Sequence, residues 1–243
     1  MGATGIIFRR EIGAYLRSPM GYIVAVVVLL LDGVLFYAVA LGPNAGQLLS
    51  GEALKGFFYN ASGMTAVAAV ALSIRLIAED RQTGTLLLLE TSPVKDWEIV
   101  LGKFLSALAF LWGITLATAY VPLLLLVNGK IALGHILVGY LGMLFLGAAV
   151  LSIGLFATAL TRHQLVAAAV ASVITGSMFL FSTLARVVGA PLSFVLDALT
   201  LHDHRWTGFG SGVLNLSDAF YYAAVAYFFL YAATRVMELK RWE

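Results

Sequence analysis

Long uninterrupted runs of hydrophobic residues alternate with short polar segments along this chain. A helix needs about 20 mostly apolar residues to cross the hydrocarbon core of a bilayer, and six runs reach that length. The pattern therefore predicts a transmembrane domain over residues 20–236. Its six spans are expected near residues 20–42, 55–77, 102–127, 132–160, 164–185 and 214–236.

The N-terminal segment, residues 1–19, has the pattern of an amphipathic helix. Four large apolar residues share one face at helical spacing: Phe8, Ile12, Tyr15 and Leu16. We expect this helix to lie along the membrane surface with that stripe in the lipid, the alternative being a plain extension of the first span. Ser18 and Pro19 should end it, because proline interrupts a helix.

The composition agrees with a membrane protein. Hydrophobic residues make up 61% of the 243 residues and charged residues 12%, which leaves too little polar surface for a water-soluble globule. The absence of cysteine excludes disulfides, thiolate metal sites and thiol catalysis. The basic residues form no continuous face, so nucleic acid is not an expected partner. No glycine-rich phosphate loop is present, so this chain is not expected to hydrolyse ATP itself.

The distribution of Lys and Arg between the loops predicts the orientation in the membrane. With the N-terminus inside, eleven of the 15 basic residues are cytoplasmic. The four outside are Lys55, Lys130, Arg186 and Arg205. We therefore expect a multi-pass protein of the cytoplasmic (inner) membrane. Both termini, including the tail at residues 237–243, should face the cytoplasm.

The longest charged segment, residues 79–97, separates the second span from the third. Three charged residues end the second span: Glu79, Asp80 and Arg81. Gly84 allows a turn, and the four leucines at residues 86–89 are too few to cross a membrane. A solvated loop that merely reverses the chain would need no such leucines, so the segment indicates a docking surface.

A new helix is expected after this run. Ser92 can cap its free N–H groups, and Pro93 suits its first position because proline has no N–H to leave unpaired. The third span should begin there.

The sequence of this segment resembles the signature of the ABC-2 type permeases, the membrane subunits of type V ABC transporters. The resemblance rests on Arg75-Leu-Ile-Ala-Glu-Asp-Arg-Gln-Thr-Gly-Thr-Leu86, Thr91-Ser-Pro-Val94 and Ile99-Val-Leu-Gly-Lys103. Further landmarks at residues 139–147, 152–167 and 212–222 make the chain most similar to the branch associated with bacterial gliding motility.

The resemblance implies an all-α integral membrane fold. It has an N-terminal connecting helix, six spans, a cytoplasmic coupling helix near residues 79–89 and an outer re-entrant segment at residues 186–213. It also implies a separate ABC ATPase subunit, which docks on the coupling helix and carries ATP and Mg²⁺. This chain itself is expected to bind no cofactor and no metal. A second permease copy, as a homodimer, or a homologue would complete the transporter.

The resemblance also implies which residues couple to the ATPase. They are Arg75, Glu79, Asp80, Arg81, Gly84, Thr85, Leu86, Leu87, Glu90 and Pro93. Relatives commonly carry Glu at the position of Leu87, whereas this chain has its acid at Glu90.

Asp32 lies in the middle of the first span, where a carboxylate costs about 2.5–3.5 kcal/mol on insertion scales. It is either a pathway or gating group, or a protonated or hydroxyl-bonded residue at a helix interface. Candidate partners are Asn60, Ser62 and Thr65. Small residues in the spans are expected to pack helices: Gly147, Gly154 and Gly176.

The outer segment begins with an apolar half-span at residues 191–201, expected to dip into the outer leaflet. Residues 202–212 contain three glycines and indicate a polar turn. Consecutive residues rarely converge on one metal ion, so this cluster indicates a hydrogen-bonded loop: His202, Asp203 and His204. Ser217 and Asp218 are expected to cap the last span.

Two functions fit the sequence. The first is ATP-driven export or extrusion, with few polar interior residues favouring a lipid-like or lipid-linked substrate. The alternative is a mechanotransmitting membrane anchor of a larger ATPase-driven assembly that moves no solute itself. An ion-coupled secondary transporter is disfavoured, since inverted repeats are not visible. Membrane lipids and an accessory protein on the outer side are further expected partners.

Overall fold

The computed structural model describes residues 2–40, 50–85, 94–128 and 131–240. These ranges are helical, with no β-strand in the described part, which confirms the all-α prediction. We number the helices in chain order. They are α1 Ala3–Arg17, α2 Pro19–Ala40, α3 Ser50–Ser73, α4 Ala78–Thr83, α5 Asp96–Ala117, α6 Tyr120–Asn128, α7 Leu133–Leu160, α8 Gln164–Ala185, α9 Leu192–Ala198, α10 His204–Gly210 and α11 Leu216–Lys240.

Five helical stretches within these ranges are long and apolar enough to cross a membrane. They are Pro19–Ala38, Ser50–Thr83, Asp96–Val127, Leu133–Leu160 and Gln164–Ala185. The sixth expected span coincides with α11, which falls outside this set because four tyrosines make it less apolar. The 25 residues of α11 run beside α7, and Lys240 Nζ at its end donates to the carbonyl of Leu160 at 2.6 Å. The six-span count stays a prediction.

The central helix is α7, which packs against α3, α5, α8 and α11. Glycines let these neighbours approach closely. Gly147 lies against Leu111 of α5, and Gly154 lies against Ser73 of α3. Their predicted role in helix packing is confirmed, whereas Gly176 of α8 has no neighbour within 4 Å of an added Cβ. The packing prediction for Gly176 is therefore wrong.

Contacts between helix ends group one set of loops on a single face. Lys103 near the start of α5 pairs with Glu11 of α1. Arg81 of α4 and Lys240 of α11 both donate to the carbonyl of Ala159 at the end of α7, at 2.7 and 3.1 Å. We call this the proximal face. The opposite face, which carries α9 and α10, is the distal face.

The third span begins later than the sequence predicts. α5 starts at Asp96 with Lys95 as the residue before it, so this helix begins three residues after Pro93; the predicted cap Ser92 and Pro93 lie outside the described ranges. The helix starts here because the Glu98 side chain accepts the N–H of Lys95 at 3.1 Å, and acidic residues suit a helix N-terminus. The span is also interrupted after Ala117, where Pro122 cannot supply an N–H to continue the hydrogen-bond ladder.

The distal segment differs from the predicted polar turn. Most of residues 202–212 form α10, whose Trp206 and Phe209 are buried. These two rings lie three residues apart on one helix face, and Gly142 of α7 leaves room for Phe209. The polar-turn prediction is therefore wrong, because the glycines accompany a short packed helix.

The start of α11 also differs from the prediction. The helix begins at Leu216, so Ser217 and Asp218 lie in its first turn and do not cap it. The Asp218 carboxylate instead lies 3.5 Å from the guanidinium of Arg205, which ties α11 to α10.

Candidate coupling site

At the proximal face, α1 lies directly on the first turns of α5. Gly102 makes this possible, because a Cβ there would lie 2.8 Å from Ile7 Cγ2. Tyr15 stacks on Phe110 with ring centroids 5.1 Å apart and donates to the carbonyl of Leu72 at 3.0 Å. Helix α1 therefore packs on protein through its buried face.

This contact corrects the expected membrane stripe of α1. Tyr15 is only 6% exposed, so it does not face lipid, whereas Leu16 is 54% exposed. The buried face is rotated toward Ile7 because the polar Glu11 between them has a partner on α5. Ser18 ends α1 and Pro19 starts α2, as the sequence predicts.

Lys103 lies at the centre of this contact and is only 1% exposed. Its Nζ lies 2.7 Å from Asp80 Oδ2 and 3.0 Å from Glu11 Oε1. Arg10 reaches the same two carboxylates, at 2.5 Å from Glu11 and 3.6 Å from Asp80. We call these four residues the Lys103 cluster. A buried ammonium group is tolerated only with such partners, so the cluster holds α1, α4 and α5 together.

Arg75 and Glu79 form a second connection. The two Arg75–Glu79 hydrogen bonds, at 2.6 and 2.9 Å, form a bidentate pair across the end of α3. Arg75 also donates to Ser18 Oγ at 2.5 Å, which fixes the junction of α1 and α2. Arg75, Glu79 and Asp80 therefore all have partners within the chain.

The rest of the predicted coupling residues divide into buried and exposed groups. Arg81 donates to Ala159 and so links α4 to α7. Gly84 adopts φ +75°, which confirms the predicted turn, since this region favours glycine. Thr85 Oγ1 donates to Asp80 Oδ1 at 2.9 Å. Four expected coupling residues lie outside the described ranges: Leu86, Leu87, Glu90 and Pro93.

A cavity of about 320 Å³ opens between α1 and α4. It is lined by the Lys103 cluster, the Arg75–Glu79 pair, Tyr15 and the hydroxyl-bearing Thr83 and Thr85. Beside it, four consecutive residues are exposed: Gln82, Thr83, Gly84 and Thr85. This face offers a polar notch and an accessible turn to a protein partner.

An apolar groove of about 650 Å³ runs between α3 and α8. Its walls include Met64, Val67 and Val70 of α3 and Phe179 and Leu180 of α8. We call it the α3–α8 groove. Its lining suits hydrocarbon better than a polar solute.

Asp32 is buried in α2, with 3% of its surface exposed. Its Oδ1 has no hydrogen-bond partner among the described residues. The expected hydroxyl partners are engaged elsewhere, since Ser62 bonds to Tyr59 and His202, and Thr65 donates to Ala61. The hydroxyl-bonded interpretation through these residues is therefore wrong.

We expect Asp32→Leu to assemble and to melt no lower than the wild type, because it removes a buried polar group without a partner. If Asp32 serves the pathway, Asp32→Leu and Asp32→Asn should both reduce stimulated ATP turnover in nanodiscs. Full activity of Asp32→Leu would show that Asp32 is only a tolerated interface residue.

On the distal face, His202 is buried in an aromatic stack. Its ring lies between Phe179 and Trp206, with centroids 4.9 and 5.8 Å away, and its Nε2 lies 2.8 Å from Ser62 Oγ. Burial lowers the pKa of His202, with nearby Asp203 opposing the shift, so the neutral ring is favoured. His202 thus connects α3, α8 and α10.

The neighbouring polar residues turn to other partners. Asp203 accepts a hydrogen bond from Ser182, and His204 Nδ1 lies 3.4 Å from Asp197 Oδ1. Asn60 lines a separate distal cavity beside Trp206. The side chains of His202, Asp203 and His204 therefore contact different partners and do not surround a common metal position. This arrangement agrees with the hydrogen-bonded loop that the sequence predicts.

Sequence reasoning missed the central cation of the site. Lys103 and Glu11 were not predicted to act together, because they lie 92 positions apart. A usable signal was present, since Lys103 is a charged residue inside the apolar run expected at residues 102–127.

The sequence pattern of the family described as "ABC-2 family transporter protein" matches residues 6–202. The chain belongs to the ABC-2 transporter family. The match includes the whole Lys103 cluster and both sides of the α3–α8 groove. A search of the curated proteins finds no match.

Membership fixes the general role. Chains of the ABC-2 family are membrane transport components that work with an ABC ATPase, and the family is generally not catalytic itself. The match is to the family as a whole, so the gliding-motility branch stays a prediction.

Proposed function

We propose that this chain couples ATP hydrolysis by a separate ATPase subunit to export of a lipid-like or lipid-linked substrate. The Lys103 cluster supports this proposal most strongly, because one buried cation joins α1, α4 and the start of α5. A force applied to α4 would reach two neighbouring elements through these ion pairs. In this proposal the proximal face is cytoplasmic.

The ATPase would contact the exposed turn at residues 82–85 and the adjacent cavity between α1 and α4. The sequence suggested that Glu79 and Asp80 contact the ATPase directly. In the structure both carboxylates instead form ion pairs within the chain. Their role in coupling is to hold the turn in place. The exposed side chains of Gln82 and Thr83 then remain for the partner.

The α3–α8 groove supports the substrate class. Its lining is dominated by aliphatic and aromatic side chains, which bury hydrocarbon favourably. We infer that a second permease copy, or a homologue, faces this groove and completes the path. A mechanotransmitting anchor would share the coupling site but would need no such groove, so the groove favours transport.

The docking claim is testable with single cysteines in this naturally cysteine-free chain. We expect the bound ATPase to protect Gln82→Cys from a bulky maleimide, because residue 82 lies on the exposed turn. His163→Cys is the matched control, since it is exposed on the loop between α7 and α8. Labelling rates of both variants are measured on the purified permease with and without the ATPase.

Selective protection of residue 82 would support the docking surface. Equal labelling of Gln82→Cys with and without a bound ATPase would contradict docking at residues 82–85. Protection of both positions would mean that the contact is not centred on α4.

A further inference from the structure

A second polar cavity lies on the distal face, far from the coupling site. Its volume is about 500 Å³, and it lies between the first turns of α3 and helix α10. Its lining includes Glu52, Lys55, Tyr59, Asn60 and Trp206. We call it the distal pocket.

The distal pocket holds polar groups that the protein leaves unsatisfied. Trp206 is 1% exposed, and its Nε1–H has no hydrogen-bond partner within the described ranges. A buried donor without an acceptor is unfavourable, because it has lost its hydrogen bonds to water. Neither Lys55 nor Glu52 makes an ion pair with any residue that the structure describes. The pocket therefore combines a buried indole donor with a cation that has no ion-pair partner among the described residues.

The charges specify the kind of occupant. Lys55 and the Trp206 N–H suit a phosphate, because both are donors, and the Asn60 amide can add another. Glu52 lies three residues before Lys55 and suits an ammonium group. A ligand with one negative and one positive charge would satisfy both without leaving a net charge in the pocket.

The distal pocket and the α3–α8 groove lie along the same face of α3, on either side of the His202 aromatic stack. Tyr59 lines the pocket, and Gly63 and Val67 follow at helical spacing to line the groove. From Lys55 to Val70 the helix rises about 22 Å, which exceeds the roughly 15 Å thickness of one leaflet. A polar pocket at one end and an apolar groove of this length can hold the headgroup and the acyl chains of an amphiphile.

We propose that the distal pocket binds the zwitterionic headgroup of a phospholipid that carries a free ammonium group, with its acyl chains in the α3–α8 groove. The phosphate contacts Lys55 and the Trp206 N–H, and the ammonium group contacts Glu52. This inference rests on the proposed function, because it assigns one headgroup to the lipid-like substrate class; its test measures lipid binding to the isolated chain, whereas the test of the proposed function measures ATPase docking. The two are tested on different preparations, so each can fail alone.

Native mass spectrometry of the purified, delipidated full-length chain tests the proposal. The probe is dihexanoyl-phosphatidylethanolamine, and dihexanoylglycerol serves as the ligand without a headgroup. We expect saturable binding of the phospholipid. Lys55→Gln and Trp206→Phe should each weaken it about tenfold, since each removes one donor to the phosphate. Arg186→Gln, which changes an exposed distal cation outside the pocket, should leave affinity unchanged.

The exposed position of Lys55 keeps the test valid even if Trp206→Phe disturbs the aromatic stack. Wild-type affinity in Lys55→Gln, or equal binding of dihexanoylglycerol, would overturn the headgroup site. Displacement by free phosphoethanolamine at the same concentration as the phospholipid would identify a soluble phosphate ester as the ligand and would overturn the lipid assignment.

Discussion

Lys103→Met is expected to destabilise the permease by about 3 kcal/mol and to uncouple it from its ATPase. The substitution leaves Glu11 and Asp80 facing each other without the buried ammonium group. Breaking a buried ion pair costs about 3–5 kcal/mol. The lower figure applies because the two carboxylates are 15% and 17% exposed, so water screens part of their repulsion.

Two measurements check this expectation. Thermal unfolding of the purified permease reports the loss of stability, and ATP turnover of the complex reports the loss of coupling. Arg162→Met is the matched control, because Arg162 is exposed on the loop between α7 and α8 and lies outside both the Lys103 cluster and residues 79–97. It should behave as the wild type in both assays.

A neutral version of the cluster separates charge from packing. Lys103→Met combined with Glu11→Gln and Asp80→Asn removes the unpaired carboxylates, so it should recover much of the stability lost in Lys103→Met. Coupling should stay impaired, because the ion pairs that join α1 to α4 are absent. If Lys103→Met alone matched the wild type in both assays, the cluster would have no part in coupling.

Gly154→Leu is expected to destabilise the fold, whereas Gly176→Leu is expected to leave its stability unchanged. A side chain at Gly154 would collide with Ser73 and force α3 away from the central helix α7. We expect this variant to lose about 3 kcal/mol or more, or to fail to assemble, because overpacking at a close helix contact has no relaxation path. Gly176 lines the α3–α8 groove with open space around it, so its variant should fold.

The Gly176→Leu variant is expected to lose activity and not stability. A leucine there fills part of the groove, so lipid-stimulated ATP turnover should fall while thermal stability stays near that of the wild type. Size-exclusion profiles and melting curves of both variants distinguish assembly from activity. A folded and fully active Gly176→Leu would argue that the groove is not part of the substrate path.

The spans and chain breaks could be predicted because they depend on local physics. Hydrophobic length defined the helices, Pro19 separated α1 from α2, and Gly84 supplied the turn after α4. The charge partners could not be predicted in the same way. Lys103 and Glu11 meet only because Gly102 lets α1 lie on α5, a contact between distant segments.

Two local predictions failed for the same reason. The sequence at Ser92 and Pro93, which lie outside the described ranges, predicts a helix start, yet α5 begins at Asp96, where the Glu98 side chain accepts the N–H of Lys95. The glycines of residues 202–212 suggest a turn, yet burial of Trp206 and Phe209 against the core favours a helix. In both places tertiary or competing local interactions outweigh the pattern.

The distance between spin labels at Val67→Cys and Val173→Cys reports whether the ATPase moves the groove through the Lys103 cluster. These exposed positions lie on α3 and α8, the two walls of the α3–α8 groove. We expect trapping the ATPase with vanadate to shift this distance in the otherwise wild-type complex and to leave it unchanged when Lys103→Met is added. An identical shift in both complexes, or no shift in either with an active ATPase, would contradict transmission through the Lys103 cluster.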